Sequence, residues 1–419
     1  MRALLYLVLS TVCTVSARAA WTQEIYVWQR QPAPEVAAAM QEAKTLADGF
    51  NVLAAEVAWS GGTPQVSRFA PDYAQLAKLG KPVGLSLRIG PFPGPFAADD
   101  AEGKTLAALA GTLLAEAQAA GLSPSELQVD FDCAEAKLAG YRTWLGALKA
   151  AAGRTPLVFT ALPVWLNHEA DFAALAHAAD GFILQVHSLE RPTAPDAPFS
   201  LCDPVRAQAW AVQAGRVGVP FRVALPTYGY LVAFDAAGKF FGLAAEGPTP
   251  TWPVGTQVRV ARADAVQVAG LAHKLAAQPP PHCNGVIWFR LPVAGDRLNW
   301  DWTTLATVLH GGTPAAKMTV VVAWPEPGLA EIYAVNAGTT TEPPPARVTL
   351  RWPAGEKMLA ADGLGGFQLE IQPGAAQMEA AATAVPPDAL LAPGARRQIA
   401  WLRFSHALSL EASVPATAP

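Results

Sequence analysis

Charge is scarce in this chain: 15% of its 419 residues are Asp, Glu, Lys or Arg, against 52% that are hydrophobic. That balance argues for a large packed core and against disorder. Acids and bases are mixed along the sequence, and the formal net charge is −4. No basic stripe exists of the kind that nucleic-acid binding needs, and no run of like charge that would form an interaction tail. Histidine and cysteine are also sparse. The seven His are scattered with no His-Glu-x-x-His pattern, and the four Cys match no zinc spacing. Neither a structural metal nor a cofactor is expected. Beyond the N-terminus no apolar run approaches the length of a membrane-spanning helix, so no membrane span is expected. The oligomeric state stays open.

The N-terminus reads as a leader. Arg2 precedes the apolar run Ala3–Val15, and Ala17-Arg18-Ala19 has the small-x-small form of a cleavage site. Residues 1–19 are therefore expected to be a signal peptide, with the protein exported to the periplasm or secreted. Val12 before Cys13 is too large for lipoprotein processing. The mature chain would keep Cys133, Cys202 and Cys283. Export permits disulfides, and the loop-like settings of Cys202 and Cys283 make them the expected pair, with Cys133 as a competitor.

Eight short apolar, β-branched-rich runs recur along the first three quarters of the chain: Glu24–Arg30, Gly49–Trp59, Pro82–Gly90, Glu126–Asp132, Pro156–Pro163, Gly181–Ser188, Phe221–Tyr230 and Gly285–Pro292. Between them lie Ala- and Leu-rich stretches with apolar residues at helical spacing, among them Pro34–Ala47, Lys104–Ala120, Lys137–Ala152, Asp203–Gly218 and Asp264–Gln278. Strand–helix alternation implies parallel sheet, and eight units imply a closed α/β TIM barrel, (β/α)8, over residues 20–312. An open doubly wound sheet is the alternative, and no Gly-rich phosphate turn supports it. Near Gly311–Lys317 the texture shifts to Gly, Thr, Pro and Ala. Beyond it, short alternating runs separated by Pro/Gly clusters predict a small all-β domain over residues 317–414, most simply an immunoglobulin-like sandwich.

Barrel strands are buried on both faces and should read as almost unbroken apolar runs. Polar residues inside them are the informative exceptions. In Leu127-Gln128-Val129-Asp130-Phe131-Asp132, a period of two puts Gln128, Asp130 and Asp132 on one face. The helix layer outside is apolar, so these side chains point inward and climb toward the C-terminal mouth, where barrel enzymes keep their chemistry. Two carboxylates that close resist ionising together, and the one held protonated is suited to general acid work. The alternative is a purely structural ion-pair network, because Arg88, Arg222 and Arg290 also fall within strands. Arg88 and Arg290 are expected to line the barrel near the acidic strand.

Other strand ends converge on the same mouth. The first strand offers Tyr26, Trp28 and Arg30; the second, Glu56 and Trp59; the third, Arg88. The sixth offers Gln185 and His187, with Glu190 and Arg191 just beyond. The seventh ends in Pro226-Thr227-Tyr228-Gly229-Tyr230, and the eighth carries Trp288 and Arg290. Aromatic faces with acids and hydrogen-bonders suit a sugar ring. Each aromatic taken alone reads as core packing; the weight comes from six strands pointing the same way. Trp28, Glu56, Arg88, Gln185, His187, Tyr228, Trp288 and Arg290 are the candidate substrate-binding residues. The stretch Leu231–Ala263, with Lys239, Glu246 and Trp252, is a long excursion that would serve as a lid or binding loop, and its turn signals Ala237-Gly238 and Gly247-Pro248 suit a β-hairpin.

Val129-Asp130-Phe131-Asp132 resembles the acidic fourth-strand motif of the family-18 glycoside hydrolases. Leu225-Pro226-Thr227-Tyr228-Gly229 is similar to their seventh-strand motif, and Trp288 to the last-strand Trp that floors their sugar site. More closely, Gln185-Val186-His187-Ser188-Leu189-Glu190-Arg191-Pro192 and Ala224–Tyr230 resemble an uncharacterised secreted bacterial family, the domain of unknown function DUF3142, which implies this barrel and no known activity. In the hydrolases a Glu follows the last motif Asp by two residues; here that position is Ala134, and Glu135 lies one further on. Either Asp132 takes the acid's place with Asp130 supporting it, or a bend at Cys133 brings Glu135 inward. The hydrolases' sixth-strand Tyr-Asp pair is replaced by Val186-His187. In those enzymes the substrate's own N-acetyl group attacks, so no second nucleophile is needed. The resemblance implies a glycoside hydrolase-like protein acting on a polysaccharide or cell-wall glycan, with Asp132, Asp130 and Glu135 as the catalytic candidates. The alternatives are a barrel that binds glycan without cutting it, or unrelated chemistry on the same fold.

Overall fold

The computed structural model describes residues 20–97, 99–245, 250–372, 374–380 and 390–414. The expected leader, Glu246 and the last five residues lie outside them. Eight strands pair in parallel and close into a ring: β1 (Thr22–Val27), β2 (Gly49–Ser60) with its antiparallel hairpin partner β3 (Thr63–Arg68), β4 (Val83–Ile89), β5 (Leu127–Phe131), β6 (Leu157–Ala161), β7 (Gly181–Gln185), β8 (Phe221–Pro226) and, after an inserted sheet of β9 (Gly229–Phe234), β10 (Phe240–Ala244) and β11 (Gln257–Arg262), β12 (Cys283–Phe289). The β1–β12 and β1–β2 pairings shut the barrel.

Around it run α1 (Pro34–Ala43), α2 (Tyr73–Ala77), α3 (Ala101–Ala119), α4 (Leu138–Ala152), α5 (Glu169–Ala176), α6 (Pro204–Ala214), α7 (Ala265–Ala277) and α8 (Trp302–Leu309). Their ends follow local chemistry. The Asp203 carboxylate accepts from the amides of Val205 and Arg206 at 2.9 and 3.1 Å, and Asp264 accepts from Val266 and Gln267 at 3.0 Å each. Each such cap stabilises its helix by about 1 kcal/mol. Alternate strand residues such as Ile25, Val27, Val129, Phe131, Val223 and Leu225 face outward into the helix layer. Among the described residues no helix is long and apolar enough to cross a membrane.

Two expectations change here. The seventh run does not continue to Tyr230. It stops at Pro226, which has no amide hydrogen for a ladder, and Gly229 opens the separate antiparallel sheet ordered β10-β9-β11. The Cys202–Cys283 disulfide does not form; Cys133, Cys202 and Cys283 are all buried thiols. The topology explains it. Cys283 opens β12 beside Phe221 at the N-terminal end of the barrel, whereas Cys202 closes the β7–α6 connection at the C-terminal end.

The C-terminal part is all-β. One antiparallel sheet has the order β13-β14-β19-β16 and the other β17-β18-β15-β20, with β13 (Met318–Glu326), β14 (Leu329–Asn336), β15 (Arg347–Arg351), β16 (Met358–Gly363), β17 (Phe367–Gln372), β18 (Ala375–Ala380), β19 (Arg396–Phe404) and β20 (Glu411–Ser413). Strict alternation along β14 sends Ala330, Ile332 and Ala334 into a core shared with Val348 and Leu350 of the other sheet. This core is separate from that of the barrel. The Thr304 hydroxyl of α8 donates to the Thr339 carbonyl at 2.7 Å, and Thr341 donates to the Asp301 carboxylate, tying the two parts together.

Candidate active site at the barrel mouth

Inward-facing side chains form layers. At the floor the buried Arg222 guanidinium is held by the carboxylates of Glu24 and Glu126, the latter at 2.6 and 2.7 Å. Asn51, hydrogen-bonded to Ser86, also reaches Glu126 at 3.3 Å. Gly84 makes this possible, since a Cβ there would collide with the Asn51 amide. Above the floor, the Tyr26 hydroxyl donates to Gln128 Oε1 at 2.6 Å, and Leu53, Val158, Ile183, Ala224 and Ile287 close an apolar layer. Gln128 thus belongs to the structural interior.

The mouth has an ionic half and an aromatic half. In the ionic half, register places Glu56 beside Arg88 and Arg88 beside Asp130 on successive strands. Arg30 grips Glu56 through both oxygens at 3.0 and 2.8 Å; Arg88 meets Glu56 at 3.4 Å and Asp130 Oδ2 at 3.3 Å. The Thr160 hydroxyl donates to Asp130 Oδ1 at 2.7 Å. The sequence signal for Thr160 is its parity: it shares the inward phase of Val158 on an otherwise apolar strand.

Asp132 stands just past the end of β5, facing the same interior as Asp130. It is solvent-accessible yet crowded by the surrounding funnel, and has no hydrogen-bond partner among the described residues. Burial among those walls raises its pKa to about 6; Asp130 adds to the rise and Arg88 opposes it. The chain does bend here, with the Cys133 amide donating to the Phe131 carbonyl at 2.8 Å. The bend does not deliver Glu135 to the acid pair. Glu135 opens a 3-10 turn and faces His168 Nε2 of the β6–α5 connection at 3.5 Å, so the inward-turning Glu135 is corrected.

In the aromatic half, Trp28, Tyr26 and Phe289 pack edge to face with centroids 5.3–5.6 Å apart. His187 stacks on Phe289 at 5.5 Å, and its Nδ1 lies 3.2 Å from the Tyr228 hydroxyl. Burial pulls the His187 pKa down to about 3, so the ring is neutral. Gln185 Nε2 donates to the His187 carbonyl at 3.4 Å. Trp28, His187 and Tyr228 are 3–4% exposed, so these rings pack on one another more than they face an open cleft.

Two substrate-binding candidates are displaced. Trp288 is fully buried in the helix layer, 6.0 Å from Trp300, because Ile287 and Phe289 take the inward parity on β12. It cannot floor a sugar site; Phe289 holds the inward aromatic position. Trp59 likewise faces outward, stacked on Trp144 of α4 at 5.8 Å. Arg290 does not reach the acidic strand. Its guanidinium pairs with Asp296 of the following loop at 2.5 Å and donates to the Ala245 carbonyl at 3.2 Å. Among the described residues no three His, Cys, Asp or Glu side chains are grouped to hold a metal ion.

Residues 85–294 match the family model of a domain of unknown function, DUF3142. The chain belongs to this family. In this DUF3142 protein, residues 320–405 match a second domain of unknown function, DUF8456. No curated protein matches the sequence at a significant level. Among solved structures, a chitinase from Chromobacterium violaceum is 17% identical, with 70% of this chain and 99% of that one covered and a TM-score of 0.48. The spore cortex-lytic enzyme SleL of Bacillus cereus is 14% identical over 71% and 75% of the two chains, with a TM-score of 0.45. The family-18 chitinase ChiB of Flavobacterium johnsoniae is 14% identical over 65% and 88%, with a TM-score of 0.41. These are distant likenesses of the barrel, whose closure rests on its own strand pairing.

Proposed function

We propose that this is an exported glycoside hydrolase-like protein that acts on a polysaccharide or cell-wall glycan, with Asp132 as the general acid and Asp130 as its supporting carboxylate. One observation carries the reading. Asp130 is tied through both oxygens, to Arg88 and to Thr160, while Asp132 on the same face keeps its carboxyl unengaged at the open mouth. An untied acid whose pKa is raised to about 6, chiefly by burial and then by its fixed neighbour Asp130, can hold a proton and give it to a glycosidic oxygen. The ionic belt Arg30–Glu56–Arg88 offers donors and acceptors to sugar hydroxyls beside it. The test is release of reducing ends from purified peptidoglycan sacculi and from N-acetylglucosamine oligomers. Turnover by the wild type that is lost in Asp132→Asn supports the reading; equal turnover by both removes Asp132 from it.

A second reading, a barrel that holds glycan without cutting it, draws on the mutual burial of Trp28, His187 and Tyr228 and on the turn of Glu135 toward His168. Saturable binding to sacculi with no bond cleavage would favour it.

A further inference from the structure

We infer that Ser188 is a substrate-positioning residue whose hydroxyl is the outward donor of a four-member chain, His187–Tyr228–Tyr230–Ser188, directed at an acceptor oxygen of a glycan in the mouth; the ligand class rests on the reading above. The links are 3.2 Å from His187 Nδ1 to the Tyr228 hydroxyl, 3.1 Å from Tyr228 to Tyr230, and 2.6 Å from Tyr230 to Ser188 Oγ.

The direction of the chain follows from its buried end. His187 is neutral, so one ring nitrogen carries the proton and the other a lone pair. Nε2 is buried without a partner among the described residues. A buried N–H left without an acceptor is among the rarest defects in folded proteins, and an unmatched acceptor is the milder one. The proton therefore sits on Nδ1 and is donated to Tyr228. Tyr228, already receiving, passes its own proton to Tyr230, and Tyr230 passes its proton to Ser188. This order leaves over the Ser188 proton; Ser188 also lies close to the Tyr228 hydroxyl, and it and Tyr230 are the partly exposed members, Ser188 just beyond the C-terminal end of β7.

The backbone supports a dedicated role. Ser188 has φ +60°, in the left-handed region that non-glycine residues rarely occupy, and its amide is pinned to the Leu201 carbonyl at 2.9 Å. Strain of this sort persists where the surroundings enforce it, and it gathers at functional sites. Sugar hydroxyl and amide carbonyl oxygens are the acceptors a glycan offers.

Binding and turnover of sacculi and of an N-acetylglucosamine hexamer by wild type, Ser188→Ala and Ser188→Gly test the role. The expected result is about tenfold weaker binding or higher KM in both variants, near 1.4 kcal/mol, with kcat within about twofold. Ser188→Gly should also keep or raise the melting temperature, because glycine relieves the φ strain; a merely structural serine would lose stability and binding together. Nitrogen-15 NMR of the His187 ring gives a readout free of any glycan: a protonated Nδ1 supports the chain, and a protonated Nε2 reverses it and overturns the inference. Full-strength binding by Ser188→Ala alongside a binding wild type overturns the role of Ser188 alone. A wild type that binds neither glycan overturns the glycan reading itself.

Discussion

At the floor of the barrel Glu24 and Glu126 share Arg222; at the mouth Asp130 and Asp132 stand by Arg88. The inventory is the same, two carboxylates and one guanidinium, and the surroundings differ. The floor trio is 9–18% exposed and every member is hydrogen-bonded, so its charges are locked into the fold. At the mouth Arg88 is 38% exposed and divides itself between Glu56 and Asp130, leaving Asp132 untied. Charge that is fully satisfied stabilises or specifies a structure; charge left half-satisfied beside water is available for chemistry. The comparison can be broken at four points.

The largest effect should come from the mouth. Asp132→Asn is nearly isosteric and keeps hydrogen-bonding capacity, but cannot give up an acid's proton. On any glycan the wild type cuts, turnover should fall by roughly two to four orders of magnitude, with an unchanged circular dichroism spectrum. Glu135→Gln, altering an exposed pair with His168, should leave turnover within about twofold. The reverse pattern would move the acid to Glu135.

The same two trios show what the sequence could and could not tell. The alternation Gln128-x-Asp130-x-Asp132 was legible because each polar residue sat between apolar ones, which fixed the phase of β5. On β12 every residue from Val286 to Phe289 is apolar, since both faces of the strand are buried, and periodicity carries no phase there. A motif likeness therefore pointed Trp288 inward when Phe289 holds that place. Arg290 was legible as a charge needing a partner, but one such partner is Asp296, six residues away on an irregular loop that no pattern predicts. The barrel's order of strands and helices was legible almost throughout, because each unit is a local signal. The inserted β9–β11 sheet was legible in part: the turn signal Ala237-Gly238 marks the β9–β10 hairpin, whereas the pairing of β11 with β9 across a longer loop left no local signal.

Next in size is the floor. Removing Arg222 would strand two carboxylates in the closed interior, so Arg222→Met should destabilise the protein by about 3–5 kcal/mol. Arg88→Met, at a half-open site, should cost no more than about 1 kcal/mol. Denaturant titration of both variants checks the contrast. Equal losses would mean that the mouth is as structural as the floor.

A smaller effect should appear in the pH profile. A general acid works while protonated, so activity should decline as pH rises through about 6, the value at which Asp132 loses its proton. Arg88 favours the charged form of Asp132, so Arg88→Met should move this alkaline limb to higher pH. A limb that stays in place would detach Arg88 from the acid.

The smallest effect concerns stability and carries its own sign. The pKa of Asp132 is higher in the folded protein than in the unfolded chain, chiefly through burial and then through Asp130. Between about pH 4 and pH 6 the folded state therefore holds more of this proton than the unfolded state does, and stability falls as pH rises across that window. Below it, protonated Asp132 contributes its full share; above it, the carboxylate is charged in a crowded place and the share is lost. Asn cannot ionise. Asp132→Asn should thus melt slightly above wild type at pH 7.5, by ~1 °C given the solvent at the mouth, and no higher than wild type at pH 4. Thermal melts at the two pH values read the difference directly. A variant that melts lower at pH 7.5 would mean that the Asp132 charge stabilises the fold, which would place Asp132 with the floor carboxylates and take away the reason for assigning it the proton.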